Sequence, residues 1–435
     1  MTVGVVIVGG GPAGLTAAAA LAGRHNVVVL ERESVAGGIP RHSDHLGYGI
    51  RDLRTVLSGP HYARRLVAQA LTAGADIRTD AMVTGWAGEQ ALEVTSPRGR
   101  EVIEASAVVL ATGARERPRP ARLIAGDRPA GVYTTGHLQN LVHLHGRGVG
   151  RRAVIVGAEL VSYSAVLTLR HAGCRTVLMT TEHQRPESYP AFTLAARAGL
   201  GVRVATRTRV TRIIGAPTLR AVEIENADTG ARRIIDCDTL ILTGDWVPDH
   251  ELARLADLDI DPVGGAPLVD TALRTNRTGV FAIGNLVHPV DTADVAALDG
   301  RHVSGAVHAY LAGHRAPRGG VRLVAEAPLR WISPGVLRPG DGAPPRNRLL
   351  AWTDTLLRSP VVTTRQDGAV LASRRLPWAA SPGRMFRIPA GMVAGAARDG
   401  GPVTVTVRAE SIPGSLRSPP RLRPGGTPSP PPKSA

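Results

Sequence analysis

Cysteine is nearly missing from this sequence. Cys174 and Cys237 are the only two in 435 residues. That scarcity excludes a disulfide framework, a CxxC redox centre, a four-cysteine zinc site and a protein-held iron–sulfur cluster. It suits a reducing, cytosolic location. Aromatic residues are also scarce, at 3% of the chain, against 43% hydrophobic residues overall. Ala, Val, Leu and Gly must therefore build most of the interior, which favours close-packed α/β layers. Lysine is almost absent too, with Lys433 alone among 52 basic residues. No apolar stretch of about 18 residues is present, so no membrane span is expected. Val3–Val8 is too short for the core of an export signal and runs straight into glycines.

The formal charge of +16 is unevenly placed. Residues 1–314 hold 33 basic and 30 acidic side chains, whereas residues 315–435 hold 19 and 6. The excess belongs to the C-terminal part. Its arginines are scattered, with few aromatics between them and no nucleic-acid motif, so a nucleic-acid function is not expected.

The N-terminus reads Val5-Val6-Ile7-Val8, then Gly9-Gly10-Gly11-Pro12-Ala13-Gly14, then an Ala-rich run to Leu21. This predicts a buried strand, a glycine turn and a helix, the complete setting of a dinucleotide fingerprint. Gly9 allows the tight turn, Gly11 lets a pyrophosphate approach, and Gly14 lets the helix pack close to the strand. The helix N-terminus offers unpaired N–H groups to the phosphates. A second strand, Val27–Leu30, ends at Glu31 and Arg32, with Glu31 placed for ribose hydroxyls.

Residues Ala153–Val156 predict another strand, followed by Gly157-Ala158-Glu159-Leu160-Val161-Ser162. Here Glu159 stands at the position of Gly11 and Ser162 at that of Gly14. A carboxylate at the point of closest approach opposes a pyrophosphate by bulk and by charge. The expectation is a retained fold whose dinucleotide binding is weakened or lost. The alternative is that Glu159 swings outward and NADH still binds.

Further motifs are Gly37-Gly38, the run Val108–Leu110 into Ala111-Thr112-Gly113, and Thr275 leading to Gly279–Ala282 and Ile283-Gly284-Asn285. Together with the first fingerprint they resemble the flavoproteins that carry two dinucleotide-binding domains, the class of thioredoxin reductase and lipoamide dehydrogenase. The resemblance covers about residues 1–314. It implies FAD as the cofactor of the first domain, NAD(P) as the doubtful occupant of the second, and an α/β fold with two Rossmann-like domains. In that class the last motif ends in Asp at the flavin ribityl chain, and Asn285 replaces it. By the same resemblance Thr292-Ala293 starts a helix aimed at the flavin N1/O2 edge, and backbone groups near Val83 pass the adenine. The class places its redox cysteines after the early Gly-Gly or in the second domain. This chain has neither pair, so disulfide reduction by that route is not expected.

A narrower likeness rests on Gly37–His42, Ser58–Leu66, Val156–Glu159, Thr243–His250 and Asp294–Arg301. These stretches are similar to flavoprotein subunits related to the A subunit of opine oxidase and the flavin subunit of hydrogen cyanide synthase. Those proteins oxidise amino-acid-like C–N bonds, usually beside a second flavoprotein subunit, and other relatives accompany glycerol-3-phosphate dehydrogenase-like proteins. The cysteine-rich C-terminal cluster domain of the longer members is not found here.

The likeness implies a dehydrogenase of a small amine, amino acid or hydroxy acid. Its electrons would pass to a partner flavoprotein, a quinone or oxygen. Arg41 is a candidate carboxylate clamp and His42 or His45 a candidate base, because this loop lies near the flavin in the family. The bland alternative has Arg41 on the FAD diphosphate and the histidines in loop hydrogen bonds. Arg51, Arg54 and His61 are weaker candidates, and Asp249-His250 is expected at an interdomain crossover. Two functions compete with this one: an NAD(P)H-dependent flavin reductase and a non-catalytic flavin-bound subunit.

The expected organisation is an FAD-binding domain of residues 1–118 and 270–314, interrupted by an NAD(P)-type domain of 119–269. A β-rich domain of 320–409 follows, then a Pro-rich tail of 411–435 expected to be disordered.

Overall fold

The computed structural model describes residues 2–317 and 319–409. The expected tail, 411–435, lies outside the described residues. Strand Thr2–Val8 sits at the centre of the first sheet, parallel to Val27–Leu30 on one side and to Gly99–Leu110 on the other. The helix Pro12–Leu21 follows the first strand directly. Strand Gly99–Leu110 serves two partners on its far edge. Its polar first half pairs antiparallel with Ala91–Ser96, while its end pairs parallel with Val280–Ala282. The burial pattern follows: exposed residues dominate at Gly99–Val102, whereas Ala107 and Val109–Leu110 are buried. A strand covered on both faces must be apolar throughout.

Val280–Ala282 brings the chain back to the first sheet after a second unit has been built. That unit has a five-stranded parallel sheet, ordered Val132–Thr134, Thr239–Leu242, Arg152–Val156, Arg175–Thr180, Val204–Ala205. A smaller four-stranded sheet containing Thr208–Ile214 and Ala221–Asn226 packs against it through Val154, Val210, Val222 and Leu240. The last helix, Ala293–Leu311, lies against helix Pro12–Leu21. Their approach is close because Gly300 has no side chain: a Cβ there would lie 2.3 Å from the Ala13 carbonyl oxygen.

The β-rich C-terminal part folds as two sheets, one of five strands and one of three. Leu349, Val362, Phe386, Ile388 and Val405 form its core. Its arginines fasten it to the first domain. Arg338 joins the first domain's own Arg274 on Asp270, and Arg346 binds Asp299 at 2.6 Å. Among the described residues no helix is long and apolar enough to cross a membrane.

Candidate active site

The first glycine loop takes the shape its sequence predicts, for three separate reasons. Gly9 has φ +109°, and a Cβ there would meet the Ala111 carbonyl oxygen at 2.4 Å. A Cβ on Gly14 would lie 2.0 Å from the Gly9 oxygen, so only glycine lets the helix start this close to the turn. Gly11 differs: its Cβ would meet nothing nearer than the Gly38 Cα at 3.9 Å. The space over Gly11 is open, and the helix leaves the amides of Ala13 and Gly14 without intrahelical acceptors. That is a cradle for an anion. Gly38 closes its side with φ +63°, a conformation reserved for glycine with its ψ of −153°.

Glu31 is buried, and its two carboxylate oxygens accept from the amides of Gly10 (2.8 Å) and Glu33 (2.9 Å). It thus ties the strand end to the glycine loop and keeps lone pairs for a further donor. Arg32 projects outward and pairs with Asp249 at 3.7 Å. Val83 lies in strand Met82–Trp86, whose approach is pinned by the Ala81 amide on the Glu31 carbonyl (2.9 Å). Ala111 bonds Val8, and Thr112 donates to the Asp249 carbonyl at 2.7 Å. Gly113 turns the chain with φ +79°. Asp249 therefore belongs to the crossover between the units, held there by Arg115.

The loop after Gly38 carries the expected clamp and bases. Arg41 donates to the Val35 carbonyl and pairs with Glu33 at 3.7 Å, leaving its Nε buried without a partner. His42 is buried with Nδ1 unpartnered, and burial, aided by Arg41, lowers its pKa to about 4. It is neutral at neutral pH. In His45 both ring nitrogens are engaged, with Ser43 Oγ (3.1 Å) and the Leu46 carbonyl (2.8 Å). Gln139, from the second unit, bridges Ser43 and Ser164 and anchors this loop.

Gly284 takes φ +67°, and a Cβ there would lie 2.7 Å from the Ala13 Cβ. Asn285 follows, donating to the Asp291 carbonyl (3.0 Å) while its Oδ1 is buried with no partner. An unsatisfied acceptor at the family's flavin position is what a ribityl hydroxyl would fill. The helix at Thr292 and Ala293 has carboxylates at its N-terminus. Asp291 accepts from the Thr292 amide, and Asp294 accepts from the Val295 amide and from Arg51 at 3.1 Å. Arg387 of the C-terminal domain pairs with Asp291 at 3.2 Å. One turn on, Asp299 is fully buried between His288 (2.5 Å) and Arg346, which hold its carboxyl below the usual range against the opposing effect of burial.

The second fingerprint is rebuilt. Gly157 keeps its role, since a Cβ would meet Thr243 Oγ1 at 2.0 Å. Glu159 and Ser162, which stand where the first loop has glycines, form a reciprocal capping box at the start of helix Leu160–His171. The carboxylate turns inward over Gly244, where a Cβ would sit 1.7 Å from Glu159 Oε1. Burial raises its pKa to about 8, helped by Glu187 and Glu116, while Arg122 opposes the shift. The segment after strand Arg175–Thr180 folds over this end, with the Ser188 amide on the Ala158 carbonyl at 3.0 Å. Gly383 packs on top. Its Cβ would lie 2.6 Å from Glu187 Cβ and 3.1 Å from Glu159 Cβ. The outward swing of Glu159 does not occur.

Both cysteines are buried and unpaired, and burial raises their thiols to about 11 for Cys174 and about 12 for Cys237. They lie in different cores.

An open first cradle, an orphaned acceptor at Asn285 and two dinucleotide-type folds define a flavin-dependent oxidoreductase of the two-domain class. The residues present fit FAD in the first domain. The profile of the pyridine nucleotide-disulphide oxidoreductase family matches residues 3–300, and the chain belongs to that family. It is 25% identical to the A subunit of opine oxidase from Agrobacterium tumefaciens (strain Ach5) over 341 residues, covering 71% of this chain and 65% of that one. The bifunctional thioredoxin reductase/thioredoxin of Mycobacterium leprae is 27% identical, covering 65% and 60%. The chain thus spans less than two thirds of the length of these two relatives. Thioredoxin reductase of Lactococcus lactis superposes with a TM-score of 0.61 at 19% identity, covering 72% of this chain and all of that one.

Sequence reasoning did not find Glu187, Glu116, Arg122 or Gly383 around the second fingerprint, nor the His288–Asp299–Arg346 group. Asp299 alone carries a sequence signal, as a charge inside a largely apolar helix; the others sit in polar or Pro- and Gly-rich segments.

Proposed function

We propose that this protein is an FAD-dependent dehydrogenase of a small amine, amino acid or hydroxy acid that does not take its electrons from NAD(P)H. One contrast carries the reading: Gly11 faces open space, whereas the matching Glu159 is folded into the helix N-terminus beneath Gly383. A dinucleotide pyrophosphate has a cradle in the first domain and meets a buried carboxylate in the second. The two separated, buried cysteines support the exclusion of disulfide reduction.

Bound FAD supplies a hydride acceptor. The rest falls to the chain: substrate oxidation releases a hydride and a proton, so a base must take the proton and a cation must hold any carboxylate. His42 is a base in its neutral form, and Arg41 beside it supplies positive charge. His45 can serve only by giving up one of its two hydrogen bonds. Gly11, Ala13, Gly14 and Glu31 would hold the diphosphate and ribose, and Asn285 the ribityl chain.

The likeness to an opine oxidase subunit supports C–N oxidation and an electron acceptor on a second subunit. We place the protein in the cytosol on the strength of its reduced cysteines. The test is anaerobic mixing of the flavin-loaded protein with NADH, NADPH and a panel of amines, amino acids and hydroxy acids. Bleaching of the flavin by a panel member but not by pyridine nucleotide is expected. Rapid bleaching by NADH or NADPH overturns the reading in favour of a flavin reductase, for which the thioredoxin reductase relatives speak. A flavin that nothing reduces would make the chain a non-catalytic subunit.

A further inference from the structure

We propose that the cavity between the second dinucleotide-type domain and the C-terminal domain binds a small organic dianion, clamped by Arg348 and Arg384. The cavity measures about 340 Å³, and Arg348, Arg384, Arg387, Tyr189 and Trp378 line it. Such a volume falls at the lower end of ligand sites, about 300–1,000 Å³.

Three arginines line this space, and of the three only Arg387 has a carboxylate partner among the described residues, Asp291. Arg348 donates to the Asn347 carbonyl at 3.3 Å. Arg384 stacks on the Tyr189 ring, 4.7 Å from its centroid, and its Nε is buried without an acceptor. Like charges gathered in a recess repel one another, and an unpaired buried donor costs stability. An anion carrying two negative charges resolves both, because a guanidinium binds carboxylate or phosphate through paired, charge-assisted hydrogen bonds.

The placement is built into the sheet. In the three-stranded sheet Arg348 pairs with Pro389 and Leu350 with Arg387, so Arg348 and Arg387 share one face. Leu349 and Ile388, on the other face, fill the domain core. Trp378 is held over the recess by its Nε1–H on the Arg387 carbonyl at 2.9 Å. The Tyr189 and Trp378 rings supply apolar walls, so the ligand carries two negative charges on a short apolar or planar body. The second domain contributes Tyr189 and the C-terminal domain the arginines, so the site exists only when the two are docked. It is distinct from the Gly11 cradle and does not depend on what the flavin oxidises.

The test is calorimetric titration of the full-length protein with glutarate and with phenyl phosphate, using acetate as a single-charge control. Saturable binding of at least one of the two probes, tighter than acetate, is expected. Arg348→Gln and Arg384→Gln should each weaken that binding about tenfold, or about 1.4 kcal/mol, with flavin content unchanged. Glutarate alone binding would assign the site to dicarboxylates, and phenyl phosphate alone to phosphorylated ligands. Saturation by neither, or equal binding in the Arg348→Gln/Arg384→Gln double variant, would overturn the proposal. Trp378→Phe keeps the site falsifiable should an arginine variant misfold, since it should alter the binding enthalpy without removing either clamp.

Discussion

Gly383 lies directly on Glu159, bringing the C-terminal domain against the end of the second domain's fingerprint helix, with only 3.1 Å between a Cβ at 383 and that of Glu159. The glycine also has φ +73°, so any side chain there is strained as well as crowded. Gly383→Val should lower stability by about 1–3 kcal/mol, read as a fall in melting temperature. Glu159→Gly should not create NADH-driven flavin bleaching, because Glu187, Ser188 and Gly383 still cover the helix end.

Burial and the neighbouring Glu187 and Glu116 raise Glu159 to about 8 from an ordinary 4.5, with Arg122 the opposing cation. Folding therefore favours the protonated acid. Its stabilising contribution is complete below pH 4.5 and is lost as pH rises through about 8. Glu159→Gln cannot ionise, so its melting temperature should fall less than that of the parent across this range. Parallel thermal melts check it, and identical pH dependence would count against a buried, protonated Glu159.

Gly11 and Gly14 belong to one motif but should fail differently. Gly11→Ala meets only the Gly38 Cα at 3.9 Å, so the chain should fold and melt normally while losing most of its flavin. Gly14→Ala drives a methyl to 2.0 Å from the Gly9 oxygen and should abolish folding. Flavin absorbance per chain and far-ultraviolet circular dichroism separate the two outcomes.

His42 is held at about 4, below its ordinary 6.5, by burial and by Arg41, with Gln139 opposing and His143 adding to the shift. The folded state disfavours its charge, so the stability linked to it is present above pH 6.5 and falls as pH drops towards 4. If His42 is the base, the rate of flavin reduction should stay level from pH 8 down to about 5, unless the substrate amine titrates. A limb near 6.5 that survives in His42→Gln would assign the role elsewhere.

Asp299 joins the last helix to Arg346 and to His288 while fully buried. Asp299→Asn leaves the arginine without its counter-charge and should cost about 3–5 kcal/mol. Since its carboxyl sits below the usual range, its contribution is present above about pH 4 and is lost as pH falls further. Acid melts of the two proteins should converge.

The strands at Thr2–Val8, Val27–Leu30 and Arg152–Val156, the turns at Gly9 and Gly157, and the helices that follow them were legible, because each is a backbone state coded by its own contiguous residues. The damage to the second fingerprint was legible too, as Glu159 and Ser162 in glycine positions. Their mutual capping box was not anticipated, although its Glu-x-x-Ser spacing reverses a familiar pattern. The catalytic candidates fared less evenly. His42, His45 and Arg41 were singled out for their loop, yet their hydrogen bonds depend on Val35, Glu33 and Gln139, which that loop does not name.

The scarcity of cysteine carried further than any count of charge. By itself it argued against a redox disulfide in a fold that often carries one, and an intact Gly9–Gly14 loop pointed to a bound dinucleotide. These follow from composition and local geometry alone. Tertiary structure decided that Glu159 turns inward rather than out, and that Gly383 covers it. It also gathered three scattered arginines around one cavity. No local rule encodes such meetings, because they arise only when the core of residues 321–408 packs and its polar face docks on the other two domains.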